Sequence, residues 1–247
     1  MRKVWILAAA LLFAMSATAA DLTVDEILAK NAEAKGGIEK LRALKSIRYS
    51  GTLSLGGGLE APLVMIKKRP ESMRMDFTFQ GMTGTQAFDG TTAWAVMPFM
   101  GKKDPEAMTG DMLKEAKQQA DFDGPFIDSE KKGYKVESLG KVDLAGTPAY
   151  KLKLRREGND TFVYIDANSF LDIRTEAKRT VQGQEIESET TIGNYKEFEG
   201  LLIPTQIEMK TKGAPAGQTI TIDKVEINPA VEDDAFAMPK KAEAAKP

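Results

Sequence analysis

Three methionine spacings carry the most distinctive side-chain chemistry of this chain: Met73-x-Met75, Met97-x-x-Met100 and Met108-x-x-x-Met112. Thioether sulfurs suit Cu(I), so such spacings could ligate a soft cation in an oxidising compartment. They could equally line an apolar surface, because methionine is unbranched and polarisable and adapts to partners of variable shape. Glu185, Glu187 and Glu189 would array three carboxylates on one strand face, able to recruit a cation or a basic partner, with a solvated outer face as the simpler reading. Composition removes most catalytic chemistry and leaves carboxylate pairs or lysine chemistry. The chain has no His and no Cys, which removes the commonest general base, the commonest zinc ligands, thiolate nucleophiles and every His-dependent triad. Gly56-Gly57-Gly58 is followed by Leu59 and Glu60, without the Lys-Ser/Thr that a phosphate loop needs. The residues therefore read as non-enzymatic, with no cofactor.

The elements around the methionines explain how they would be positioned. Eight of the twelve methionines fall between Met65 and Met112, and Met73, Met75, Phe77 and Phe79 alternate with Arg74, Asp76, Thr78 and Gln80. Period two makes this a strand with one apolar and one polar face. Asp89-Gly90 is a favoured turn dipeptide between residues 84–88 and 92–97. Asp104-Pro105 reads as a helix start, with Met108, Met112 and Ala116 along one side of a helix reaching Ala120.

Upstream, Thr23 and Glu26 have the spacing of a capping box, Gly36-Gly37 can end that helix, and Ile38, Leu41 and Leu44 suggest another. Ile47, Tyr49, Gly51, Leu53 and Leu55 then alternate, and a second strand follows over about residues 59–67. Beyond the Asp123-Gly124-Pro125 loop, strands are predicted near 134–142, 148–156, 161–166, 170–180, 185–196, 202–211 and 218–228, with turns at Gly146, Gly158, Gly183, Gly200 and Gly213 among others. So many consecutive strands must curl or pack, since a flat sheet of that width would expose a large apolar face.

The first residues read as a secretory signal: Arg2 and Lys3, an apolar run over 4–15, then small residues over 16–20. The run is shorter than the about 20 apolar residues of a membrane span. Cleavage is expected near Ala19 or Ala20, and without Cys the product can take neither a lipid anchor nor a disulfide. The expected organisation is a signal peptide over 1–20, one domain over 21–239 and a flexible tail over 240–247, working as a monomer in a bacterial periplasm. A formal charge of −2 with both signs interspersed gives no basic footprint for nucleic acid.

Lys68-Arg69-Pro70, the strand after it, Phe88-Asp89-Gly90-Thr91, Trp94 and Pro98-Phe99 resemble in order and spacing the LolA/LolB family of outer-membrane lipoprotein-sorting carriers. Met97 stands where that family often has Asn before the proline, and Met73 and Met75 stand where better-known carriers often have aromatic residues. The resemblance implies a mainly β fold with a few helices: an incomplete, half-open antiparallel barrel of about ten to twelve strands closed by a helical lid. It implies an apolar cavity for acyl chains, here assigned to Met65, Met73, Met75, Phe77, Phe79, Trp94, Met97, Phe99, Met108 and Met112. It also implies a lid latch, Arg69, whose guanidinium would hold the segment around 100–120 through backbone carbonyls.

The expected function is a carrier of lipoprotein or lipid acyl chains between inner and outer membranes. It would have an inner-membrane transporter as donor, an outer-membrane acceptor and transient membrane contact. Two alternatives stand beside it: a periplasmic lipid or lipoprotein sensor or regulator of the related RseB type, and Met-based copper binding.

Overall fold

Thirteen antiparallel strands pair into one sheet in the computed structural model, which describes residues 22–181 and 184–240. The expected signal segment, Gly183 and all of the expected tail but Lys240 lie outside the described residues. The strands are β1 (Ser46–Ser54), β2 (Glu60–Lys68), β3 (Ser72–Phe79), β4 (Met82–Phe88), β5 (Ala93–Met97), β6 (Lys102–Ala107), β7 (Lys135–Leu144), β8 (Thr147–Arg156), β9 (Asn159–Asp166), β10 (Asp172–Val181), β11 (Gln184–Phe198), β12 (Leu201–Thr211) and β13 (Gln218–Ile227). Their order is β6-β5-β4-β3-β2-β1-β13-β12-β11-β10-β9-β8-β7. Two meanders thus meet at the β1/β13 seam, and β6 and β7 remain as unpaired edges. The sheet is an incomplete barrel.

Gly51 makes the seam possible. The register between β1 and β13 shifts at Ser50/Gly51, and a Cβ on Gly51 would lie 1.9 Å from the Thr221 carbonyl oxygen. Any side chain there would force the two meanders apart.

Three helices pack on the inner face. α1 (Val24–Ala34) opens with the capping box read from Thr23 and Glu26, both reciprocal bonds being present, and its Ile27 is buried with Tyr150, Leu152, Leu154, Val163 and Ile165. α2 (Ile38–Ala43) lies over Leu44, Ile47, Leu201 and Ile203. α3 (Gly110–Ala120) packs through Ala116 and Ala120 onto Met73, Phe88 and Ala93. From α3 the chain runs across the open side as the crossing loop, residues 121–134, and enters β7 at the opposite edge.

Two expectations are corrected here. The helix expected from Asp104 begins at Gly110, because residues 102–107 pair with β5 as an edge strand through Trp94↔Ala107 and Ala95↔Glu106. Pro105 is tolerated at a sheet edge, where no partner strand needs its missing N–H. The strand count is thirteen rather than ten to twelve, β6 being the element not foreseen.

The outer face of β2–β5 is also covered. Pro229, Val231, Ala235 and Phe236 present their carbonyls to Ser46 Oγ (2.7 Å), Lys68 Nζ (2.6 Å), Arg74 Nη1 (2.8 Å) and Trp94 Nε1 (2.8 Å). Phe236 is 1 % exposed.

Candidate functional site

A cavity of about 240 Å³ sits at the centre of the inner face. Its floor comes from β1, β2, β12 and β13, where period two turns Ile47, Tyr49, Met65, Lys67, Ile203, Ile207 and Ile222 inward. Its roof is Leu41, Leu44 and Phe122. Lys35 and Leu41 also border a wider cleft of about 710 Å³ between α1, α2 and residues 123–128. The lining is almost wholly aliphatic and aromatic, the composition of a site for an apolar ligand.

Polar struts hold the roof in place. Arg69 donates from Nη1 and Nη2 to both carboxylate oxygens of Asp123, each at 2.6 Å, from Nη2 to the Leu41 carbonyl at 3.0 Å and from Nε to the Leu44 carbonyl. Its guanidinium also lies 4.6 Å from the centre of the Phe122 ring. One fork-shaped cation thus joins the end of α2, the β2–β3 turn and the start of the crossing loop. Lys132 closes that loop on itself, donating to both Asp121 carboxylate oxygens at 2.6 and 2.8 Å and to the Gly124 carbonyl at 2.7 Å. At the other wall Asn31 donates to the Phe170 carbonyl at 2.7 Å and to Asp172 at 3.1 Å, and Lys35 pairs with the same carboxylate.

Burial shifts the ionisable groups of the cavity. Lys67 is pushed down to about 8 by desolvation, opposed by the Asp121 charge and reinforced by Lys132. Tyr49 is pushed up to about 12 by desolvation alone. Outside the cavity lining, Tyr195, whose hydroxyl donates to the Asp172 carbonyl at 2.9 Å, is raised by burial and by the Asp172 charge.

The residues assigned from sequence disperse over the sheet. Met65 lines the cavity, and Met75 pairs with it across β2–β3 outside the lining. Met73 is buried beneath α3, with Met108 packed against the same cluster. Phe77, Phe79, Met97 and Phe99 gather at the far end of β3–β5: Phe99 lies 5.6 Å from Phe77 and 6.2 Å from Phe79, centre to centre. Gly84 admits them, since a Cβ there would meet Phe99 at 2.7 Å and the Met97 sulfur at 3.1 Å. Two placements are corrections. Met112 is 61 % exposed, because α3 buries Leu113, Ala116 and Ala120 instead. Trp94 lies on the outer face, its register opposite Ala87 rather than Phe88, capped by Phe236.

Arg69 likewise bonds residues 41, 44 and 123 rather than carbonyls within 100–120. The longer thioether spacings are split: Met97 packs inward while Met100 is 69 % exposed, and Met108 packs beneath α3 while Met112 faces solvent. The three carboxylates face cations across the strands: Glu185 meets Lys178 at 2.7 Å, Glu187 meets Lys212 at 2.7 Å and Glu189 meets Arg174 at 3.4 Å.

Solved structures share this architecture. A LolA superfamily protein from Nitrosomonas europaea superposes with a TM-score of 0.59 at 15 % identity, covering 87 % of this chain and 98 % of its own. A putative outer membrane lipoprotein-sorting protein domain from Vibrio parahaemolyticus gives 0.58 at 11 % identity, with 85 % and 94 % covered. A DUF1329 family protein from Desulfovibrio piger gives 0.60 at 10 % identity, with 87 % and 97 % covered. The fold is LolA-like. No protein-family model matches the sequence, and no curated protein matches it.

Within this LolA-like fold, Met65 is the one lining residue of the cavity that was assigned from sequence; Tyr49 and Lys67 of the lining, and Asp121, Asp123 and Lys132 of the roof struts, escaped it. Tyr49 had a signal, its place in the alternation Ile47, Tyr49, Gly51. Lys67 shares the parity of Leu63 and Met65, so its place on the inner face was readable. The carboxylates and Lys132 had no periodic signal, because a crossing loop has no period.

Proposed function

We propose that this chain is a periplasmic, non-enzymatic carrier that binds an acyl chain in the central cavity and moves it between the inner and outer membranes. The observation that carries this reading is an aliphatic cavity whose roof is pinned by Arg69 rather than packed shut. At about 240 Å³ the cavity is below the roughly 300 Å³ at which small-molecule sites usually begin. Taking in a whole acyl chain therefore requires the roof to lift. The segment to lift is the crossing loop, and Arg69 is its latch: it bonds Asp123 and the two carbonyls of the α2 end at once.

Uptake is driven by removing methylenes from water, each contributing about 0.8 kcal/mol. Breaking the Arg69 contacts offsets part of that gain, so binding stays weak enough for an acceptor to win. The carrier takes its load from an inner-membrane transporter and yields it to an outer-membrane acceptor.

The test is binding of a fluorescent acyl probe, followed by release to acceptor vesicles. Wild type binds and releases; Arg69→Leu shifts the open population about tenfold or more, since charge-assisted bonds of about 1.5–3 kcal/mol are lost. Unchanged uptake and release in Arg69→Leu would remove the latch. Absence of probe binding by wild type, with tight Cu(I) binding, would sink the carrier and favour the metal reading.

A further inference from the structure

Three lysines approach the central cavity and its roof, and they differ in what answers their charge. Lys132 meets the Asp121 carboxylate and Lys35 meets Asp172. Lys67 meets no carboxylate within salt-bridge distance among the described residues. Its one hydrogen bond goes to the Asp121 backbone carbonyl at 3.2 Å. An ammonium has three donors, so two remain for a partner outside the chain. Beside it, Tyr49 lines the same cavity and its hydroxyl has no hydrogen-bond partner among the described residues.

The register brings the two side chains together. Ile47 pairs with Lys67 and Tyr49 pairs with Met65, so Tyr49 and Lys67 are diagonal neighbours on the inner face of β1 and β2, within reach of long side chains. Around them the walls are aliphatic: Ile47, Leu44, Ile203, Ile222. A desolvated cation with no carboxylate in salt-bridge contact is costly, as the lowering of Lys67 to about 8 records. The Asp121 charge offsets only part of that cost, because its carboxylate is bonded to Lys132.

We infer that Lys67 and Tyr49 form a head-group site, and that the cavity takes a single-chain amphiphile with an anionic head, a carboxylate or a phosphate monoester. The head accepts hydrogen bonds from the Lys67 ammonium and the Tyr49 hydroxyl, while the chain runs along Met65, Ile207 and Ile222. This inference rests on the acyl-carrier reading and narrows its cargo: a neutral acyl ester supplies no counter-ion for Lys67.

The experiment compares four probes on the full chain: a fluorescent fatty acid, its methyl ester, an alkyl phosphate monoester with the same chain, and inorganic phosphate as competitor. Wild type is expected to bind the acid, the alkyl phosphate or both at least about tenfold more tightly than the ester, and which of the two binds better identifies the head. Lys67→Met should bring the acid down to the level of the ester while leaving the ester within about twofold of wild type. Lys67→Arg should keep the preference, and Tyr49→Phe should weaken it less. Binding of neither the acid nor the alkyl phosphate more tightly than the ester by wild type, or an undiminished preference in Lys67→Met, would overturn the head-group site while leaving the carrier intact. Binding of no chain at all would sink both. Displacement by inorganic phosphate at concentrations comparable to the amphiphile would make this a free-anion site and overturn the amphiphile assignment.

Discussion

The inner face carries two helical interfaces built on opposite principles. α3 approaches β3–β5 through alanines, and Ala116, Ala120, Met73, Phe88 and Ala93 are each 2 % exposed or less. α2 has no buried residue of its own, and beside it the floor of β1, β12 and β13 stays open. Small side chains let a helix settle to van der Waals contact, whereas long polar struts, Arg69 to Leu41, Leu44 and Asp123, hold a roof at a distance. Methionine enrichment therefore marks the interface that is packed, and a stranded cation marks the one that is open.

The widest separation between the two interfaces should come from Met73→Ala. It should destabilise the fold by about 2–5 kcal/mol in urea unfolding, the usual cost of emptying a buried large side chain, yet leave acyl affinity intact. A loss of affinity equal to that of a cavity substitution would erase the distinction. Arg69→Leu should cost less, about 1.5–3 kcal/mol, and amide hydrogen exchange should quicken over residues 121–134 without quickening in α3.

The pH response should be smaller again. The folded Lys67 value of about 8 lies below the ordinary 10.5, so its penalty on stability is fully present below about 8 and is relieved as pH climbs towards 10.5. Anion binding runs the other way, weakening above pH 8 by up to about tenfold per pH unit. Asp121 and Lys132 from the crossing loop, Tyr49 from β1 and Lys35 from the end of α1 are the other charged or titratable groups around it, and Lys67→Met should flatten the profile. Acyl-probe titration over pH 6–10 reads this directly. On the outer face, Lys212→Ala should shift neither melting temperature nor probe affinity measurably, because an exposed pair with Glu187 contributes little. Any loss of binding there would move the functional surface outward.

Much of this architecture is legible in the chain because alternation and turn chemistry agree. The Thr23 and Glu26 box, the Met73 to Phe79 alternation and the Asp89-Gly90 turn all appear where their chemistry places them, the turn through Asp89 Oδ1 accepting from Thr91 and Thr92 N–H. What escaped has physical reasons. Pro105 suits both the first turn of a helix and an edge strand, so residues 102–107 read as the wrong one. Met112 and Leu113 define two competing helical stripes, and the buried stripe consists mostly of alanine, a weak signal. Trp94 was on the alternation, but which face counts as inside depended on Phe236, more than a hundred residues away. The cavity itself comes from distances across the crossing loop, which no local pattern encodes.

Photocrosslinking distinguishes acyl chains lying over β1, β2, β12 and β13 from acyl chains lying beneath α3. A fatty acid carrying a diazirine near its methyl end would be bound, irradiated and mapped by peptide mass spectrometry. Adducts are expected at Met65, Ile203, Ile207 and Ile222, lost on competition with unlabelled fatty acid. Adducts confined to residues 73–116 would contradict binding over β1, β2, β12 and β13.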